Sequence, residues 1–220
     1  MMKKEEKNYW NTQKAEEEVI AFLQQNKLVI GTTDTVLGLF ALANKEGFEL
    51  LNKVKERENK PYLLIAPSTG SIDALVNRKK SFHIEKIMKA FWPGPLTIIF
   101  KAQEGVADYF VSEQKTIAIR IPDHKGIHSL LQKTGPLFST SANKAGQPLP
   151  ELMSELSPEI AQYGDYFIDD KVPQKNETPS TLIDCSELTK DNPVVKVIRE
   201  GKITVQELQD VLGDTVKVIA

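Results

Sequence analysis

Several short β-type runs in this chain stop abruptly in small hydroxyl, amide or guanidinium side chains. That pattern restricts the fold more than any other feature of the sequence. Pro136-Leu137-Phe138 gives way to Ser139-Thr140-Ser141-Ala142-Asn143-Lys144-Ala145-Gly146. Leu28-Val29-Ile30 runs into Gly31-Thr32-Thr33-Asp34-Thr35, and Thr116-Ile117-Ala118-Ile119 into Arg120-Ile121-Pro122. A buried strand that opens into a polar turn leaves this signature, and ligands of open α/β sheets sit at such strand ends. Small side chains let a substrate approach the backbone, while hydroxyls and an amide both donate and accept hydrogen bonds. Taken singly, each run is also an ordinary strand-turn with Asn and Ser as turn formers. One polar, cationic pocket fed by many strand ends accounts for the set better than many unrelated turns.

Periodicity supplies the rest of the frame. Thr12 to Gln25 reads as an amphipathic helix with Ala15, Val19, Ile20, Phe22 and Leu23 inward. Helices are also expected over Phe48 to Arg57, Phe82 to Phe91 (Phe82, Ile87, Met88 and Phe91 inward), Ile127 to Lys133 and Glu151 to Ala161. Thr204-Val205-Gln206-Glu207 is a capping box that starts a helix to Leu212. Strands are expected over Leu28 to Thr32, Leu39 to Ala43, Tyr62 to Ala66, Leu96 to Phe100, Thr116 to Ile121, Leu137 to Thr140, Tyr166 to Ile168, Thr181 to Asp184 and Val194 to Ile198. Asp169 to Pro179 reads as a polar loop long enough to be a lid. Strands and helices mix irregularly, which predicts a single α/β domain with an open, twisted, mixed parallel and antiparallel sheet, flanking helices and a cationic cleft. The expected limits are a tail and helix start over 1–14, the domain over 15–212 and a C-terminal tail over 213–220.

Composition narrows the function classes. The 220 residues carry a net charge of −2, so no global field draws in nucleic acid. A local basic cleft remains open to Lys55, Arg57, Lys60, Arg120 and Arg199. The lone cysteine, Cys185, excludes an intramolecular disulfide and fits a reducing cytoplasm. Met1 to Lys7 is rich in lysine and glutamate rather than apolar, and no apolar run approaches the ~20 residues of a membrane span.

The candidate chemistry is anion binding. Lys55 and Arg57 close a helix, where cations are favoured by the dipole whatever their function. As an anion clamp, Arg supplies a planar fork and Lys a mobile point charge. Arg120, interrupting an apolar strand, reads either as a pocket cation or as a partner of Asp123. His124 and His128 stand four apart, but Gly126 and the Pro122-Asp123 turn argue against a continuous helix there and no third ligand is evident, so no metal site is expected. The chain has no Walker loop and no G-x-S-x-G nucleophile elbow.

Seven ordered motifs give these residues a context. They are T-D-T-V-x-G at Thr33 to Gly38, K-x-R at Lys55 and Arg57, W-P-G-P-L-T at Trp92 to Thr97, and R-x-P-D at Arg120 to Asp123. T-S-A-N at Thr140 to Asn143, P-S-T at Pro179 to Thr181 and R-x-G at Arg199 to Gly201 complete the series. From about Ala15 to Leu212 the chain resembles the YrdC/TsaC family of threonylcarbamoyl-AMP synthases. It departs from the family at Gly31-Thr32, Leu37, Glu58 and Ala145, and the K-x-R loop is one residue short, but no charged anchor is lost.

The resemblance implies a nucleotidyltransferase that makes L-threonylcarbamoyl-AMP and diphosphate from L-threonine, bicarbonate and ATP, with Mg²⁺ arriving on ATP. It implies Lys55 and Arg57 as catalytic cations, Thr33, Arg120, Thr140 and Ser180 around threonine, and Lys55, Asn59, Thr116, Ser141, Asn143 and Arg199 around ATP. The product would pass to a separate enzyme that modifies tRNA to threonylcarbamoyladenosine, with weak or no direct tRNA binding and no membrane. Two alternatives stay open: a non-catalytic double-stranded RNA-binding module using the same basic cleft, and an enzyme making another carbamoyl adenylate.

Overall fold

The computed structural model describes residues 8–57, 60–77, 81–171 and 178–219. Each helix begins where a side chain can accept the first free N–H groups. Thr12 caps α1 (Gln13–Gln24) by accepting from the Ala15 N–H, and Asn44 caps α2 (Lys45–Lys55) by accepting from Gly47. Ser81 caps α3 (Phe82–Phe91), and the ring of His124 caps α4 (Lys125–Thr134) through the Ile127 N–H. After a single turn, α5 (Pro158–Ala161), the predicted Thr204–Glu207 capping box starts α6 (Val205–Leu212).

The strands are β1 (Val29–Gly31), β2 (Gly38–Leu42), β3 (Leu63–Ile65), β4 (Leu96–Lys101), β5 (Thr116–Arg120), β6 (Leu137–Ser141), β7 (Tyr166–Ile168), β8 (Thr181–Asp184), β9 (Val194–Arg199) and β10 (Lys217–Ile219). They form one sheet in the order β10-β9-β8-β4-β5-β3-β6-β2-β1-β7. The pairs β1·β7, β3·β5, β4·β8 and β9·β10 are parallel and the others antiparallel, so the sheet is mixed as predicted.

Cover on the two faces is unequal. On one face, Leu51 and Val54 of α2, Ile84, Ile87 and Met88 of α3, and Leu208 and Leu212 of α6 share a core with Leu39, Leu64, Ile98, Ile119, Ile183 and Val195. On the other, Val19 and Leu23 of α1 and Ile127, Leu130 and Leu131 of α4 pack on Val29, Phe40, Ile65, Leu137 and Ile168. That second cover reaches only the β7-β1-β2-β6-β3 half. Beyond it, Thr116, Ala118, Ile99, Leu182 and Asp184 are half-buried, and Ile198 is 55% exposed. Among the described residues, no helix covers this half.

Several expectations are corrected. The helix over Glu151 to Ala161 is instead a 3-10 turn at Met153–Glu155 followed by α5, because Pro158 holds Ser157 extended (φ −63°, ψ 143°) and lacks the N–H that would continue a helix. Phe82 is 72% exposed: Ile84, Ile87 and Met88 occupy the inward stripe of α3, and Phe82 falls outside their phase. Gly126 does not interrupt α4; His124 is its cap and His128 an exposed residue within it. Residues 172–177 of the expected polar loop lie outside the described residues.

Both expected tails carry structure. Lys217–Ile219 extends the sheet beside β9. Tyr9 bridges to Asp169, and Trp10 is buried, with its indole Nε1 donating to Thr32 O at 3.2 Å and Thr32 Oγ1 at 3.1 Å. The ring lies against Gly126, where a methyl group would sit 2.7 Å from it.

That contact yields an opposed pair of effects. Gly126→Ala gains about 1 kcal/mol of helix propensity but overpacks the indole at a cost of about 1–3 kcal/mol. Denaturant unfolding should therefore show Gly126→Ala as destabilising in the wild-type background and as neutral or stabilising beside Trp10→Ala. The same sign in both backgrounds would mean that Trp10 does not restrict this position.

Candidate functional site

The last turn of α2 meets the Thr140–Asn143 turn. Lys55 is 6% exposed, because the turn folds over it. Its ammonium donates to Ser141 O at 2.9 Å, to Asn143 O, and to Asn143 Oδ1 at 3.4 Å. The Ser141 hydroxyl donates to the same Asn143 Oδ1 at 2.6 Å, and Asn143 Nδ2 donates to Gln147 O at 2.6 Å. Every partner of the Lys55 ammonium is a neutral carbonyl. Burial, then the nearby charges of Arg57 and Lys144, lower its pKa to about 8. Arg57 stacks 4.1 Å from the centre of the Tyr62 ring and donates from Nη2 to Pro61 O at 3.2 Å, and its buried Nε has no partner among the described residues.

A second group forms at the end of β5. Arg120 is 3% exposed; its Nη1 donates to Thr35 Oγ1 at 2.8 Å and lies 3.4 Å from Asp34 Oδ1. Asp123, the partner expected from the sequence, is exposed beyond Pro122, and its own N–H donates to Asp34 Oδ2 at 3.0 Å. Burial pulls the Arg120 pKa down and the Asp34 charge pushes it back up, with the net direction downward. The Thr33 hydroxyl accepts from the N–H groups of Thr35 and Val36 and donates to Val36 O, which fixes the loop. Ser180 Oγ is 2.8 Å from Thr97 Oγ1, and Arg199 Nη2 donates to Ser180 O at 2.8 Å. Lys202 donates to Asp34 O at 2.6 Å.

In a flat ladder these groups would lie at opposite margins, because Arg120 ends β5 while Ser141 ends the oppositely directed β6. Strands rotate by roughly 20–25° per neighbour, which carries the loop after β1 round toward the end of β5. The loop over residues 32–37 joins both groups: Thr35 holds Arg120, Gly38 pairs with Ser141, and Leu37 O accepts from the Ala142 N–H at 2.9 Å. A cavity of about 470 Å³, lined by Thr33, Asp34, Pro95, Asp123, His124, Lys125, Asp170 and Lys202 among others, adjoins the Arg120 group. Another, of about 580 Å³, opens beside Asn143 and Lys144 and runs along the segment from Gln147 to Pro150.

The structure thus brings Thr33, Arg120, Ser180 and Arg199 into one group and Lys55, Ser141 and Asn143 into another, with Arg57 two residues beyond Lys55. Thr116 opens β5 on the same face as Arg120, and its hydroxyl is 2.7 Å from Ser112 Oγ. Thr140 pairs with Leu39, so it alternates away from Ser141 to the opposite face. Asn59 lies outside the described residues. Asp34, Thr35, Thr97 and Lys202 were not singled out from the sequence. The first three stand inside quoted motifs, whereas Lys202 declares itself only by its tertiary contact. No three His, Cys, Asp or Glu side chains among the described residues form a cation cage. Cys185 is buried, with its thiol pKa raised by burial and by Asp184.

Comparison with known proteins bears on the family and the fold. The Sua5/YciO/YrdC family model, described as "Telomere recombination", matches residues 21–201. A Methanocaldococcus jannaschii protein provisionally named a threonylcarbamoyl-AMP synthase is 35% identical, the match covering 92% of this chain and 95% of the relative. A Bacillus subtilis threonylcarbamoyl-AMP synthase is 29% identical, over 88% of this chain and 55% of the relative. The crystal structure of Pyrococcus abyssi Sua5 complexed with L-threonine superposes with a TM-score of 0.82 at 25% identity, covering 94% of this chain and 59% of that one. The chain therefore spans little more than half of the latter two proteins.

The buried ammonium gives a pH signature. The Lys55 pKa is about 8 in the fold against 10.5 for a free lysine. Between those values the unfolded chain retains a proton that the folded chain has released, so stability rises with pH across that window and is flat below it. The urea midpoint of the wild type should gain on that of Lys55→Met as pH rises from about 8 to 10.5. Parallel curves would assign Lys55 an ordinary pKa.

Proposed function

The chain belongs to the Sua5/YciO/YrdC family, and on that premise we propose that it is a threonylcarbamoyl-AMP synthase. It condenses L-threonine, bicarbonate and ATP into L-threonylcarbamoyl-AMP, diphosphate and water. The observation that carries the reading is that Lys55, Arg57, Arg120 and Arg199 stand at or just past the ends of α2, β5 and β9, beside the small hydroxyl side chains of Thr35, Ser141 and Ser180. The names of the relatives, and the threonine complex of the Pyrococcus protein, point to the same substrates.

Threonine's amine attacks the bicarbonate carbon; a C–N bond forms, a C–O bond breaks, and the departing oxygen leaves as water with a proton from the amine, giving a carbamate. A carbamate oxygen then attacks the α-phosphorus and diphosphate leaves. No protein nucleophile is required, and the Ser141 hydroxyl, which donates to Asn143 Oδ1, is placed as a hydrogen-bonding group. Arg120 and Ser180 would bind the threonine carboxylate, with Thr33 shaping that end of the pocket; Thr140, turned to the opposite face of the sheet, is given no contact there. Lys55, Arg57, Asn59, Thr116, Ser141, Asn143 and Arg199 would hold ATP. Mg²⁺ would enter on the ATP phosphates and keep mostly phosphate and water ligands. The protein's contribution is proximity, on the order of 7–11 kcal/mol, and fixed charge where phosphate charge develops. A separate transferase would carry the threonylcarbamoyl group to tRNA. No helix among the described residues is long and apolar enough to cross a membrane, and a cytoplasmic enzyme fits the lone buried thiol.

Diphosphate release should require ATP, threonine and bicarbonate together; equal release without threonine would remove the assignment. Ser141→Ala should reduce kcat/KM by the equivalent of about 1–3 kcal/mol, the cost of a lost hydrogen bond, while turnover persists. A covalent adduct on Ser141 detected by mass spectrometry would contradict this.

A further inference from the structure

Glu56 is placed against two local preferences. It ends α2 in the left-handed region (φ 49°, ψ 45°), which disfavours a residue with a Cβ. It also puts a carboxylate at a helix C-terminus, where the dipole favours cations. Among the described residues its carboxylate contacts Lys144, at 2.5 Å from Nζ to Oε1. The exposures of the pair are unequal: the Lys144 side chain is 13% exposed and that of Glu56 is 73%. Lys144 therefore lies folded into the site while its counter-ion stands in solvent. It lines the 580 Å³ cavity beside Asn143 and is near enough to Lys55 for its charge to be felt there. Meanwhile the Lys55 ammonium has three carbonyl acceptors and has spent its three N–H donors on the turn.

We propose that Lys144 is a further polyphosphate-binding residue of this site, held back in the free protein by Glu56 and released to the nucleotide when it binds. This rests on the threonylcarbamoyl-AMP synthase reading and adds to it a cation that the motif comparison did not supply. The exchange needs no large motion: Lys144 swaps one exposed carboxylate for phosphate oxygens, and Glu56 is left in solvent. An exposed ion pair is weak, whereas a charge-assisted bond to phosphate in a partly enclosed site is stronger, so the exchange runs toward the nucleotide.

Opposite signs in two variants distinguish this from a tether that merely ties the turn to α2. MgATP and inorganic tripolyphosphate are titrated calorimetrically, without threonine, into the wild type, Lys144→Gln, Lys144→Arg and Glu56→Gln. Lys144→Gln should weaken both ligands about tenfold, and Lys144→Arg should stay near the wild type. Glu56→Gln should tighten both about threefold, the scale of releasing an exposed ion pair. Weakening in both Lys144→Gln and Glu56→Gln identifies a tether and overturns the proposal. So does an unchanged Kd in Lys144→Gln, or equal loss in Lys144→Gln and Lys144→Arg. A wild type that binds neither ligand overturns the enzymatic reading and this proposal together. Binding in the wild type with no change in the variants overturns this proposal alone.

Discussion

A guanidinium buried at the end of a strand sets the terms for the rest of the molecule. Removing Arg120 from water costs several kcal/mol unless its charge and donors are met. The loop over residues 32–37 meets them in part: Thr35 Oγ1 accepts from Nη1 at 2.8 Å and the Asp34 carboxylate lies 3.4 Å away, while the buried Nε has no hydrogen-bond partner among the described residues. Asp34 is in turn fixed by the Asp123 N–H and by Lys202. The loop reaches Arg120 from the end of β1, four strands away in the sheet order. Trp10 braces the entry to that loop through Thr32. A residue ten positions into the chain and one just past β9 thus support the same side chain.

The unequal cover of the sheet follows from the helix count. Helices α2, α3 and α6, with Ile160 of α5, fill one face, while α1 and α4 fill about half of the other. A fully covered sheet would gain more apolar burial, at about 25 cal/mol per Å². The uncovered half keeps Ile99, Ala118, Leu182 and Ile198 partly wet beside Arg120, Thr116 and Asp184. That mixture of apolar floor and convergent polar groups suits a ligand with a flat part and a charged part.

Most elements were legible because their signals were local. The apolar runs of β7 and β8 and the capping box of α6 stand in the sequence as they stand in the fold. Misreadings arose where a distant partner decided the outcome. Trp10 reads as part of a tail until Gly126 and Thr32 are seen beneath it. Lys55 reads as a solvated helix end, because nothing in its neighbourhood announces the three carbonyls supplied nearly ninety residues later. His124 reads as a turn residue because an imidazole is an uncommon helix cap. At the site, the motifs exposed the residue types but not their pairing: Arg120 takes Asp34, far off in sequence, over the adjacent Asp123.

The strand order also has a temporal side. On the Leu96–Lys101 strand, one edge is met by β5 soon after, but the other waits for Thr181–Asp184, whose first residue pairs with Leu96 across about 85 positions. A ribosome adding about 5–20 residues per second leaves that edge without its partner for roughly 4–17 s. Unpaired edges are templates for wrong pairings. Arg199, on the next strand, arrives later still, so the nascent chain holds half a cleft with an open seam beside it. A cell making this protein must shelter that seam, or make it slowly enough that neighbouring copies do not find it first.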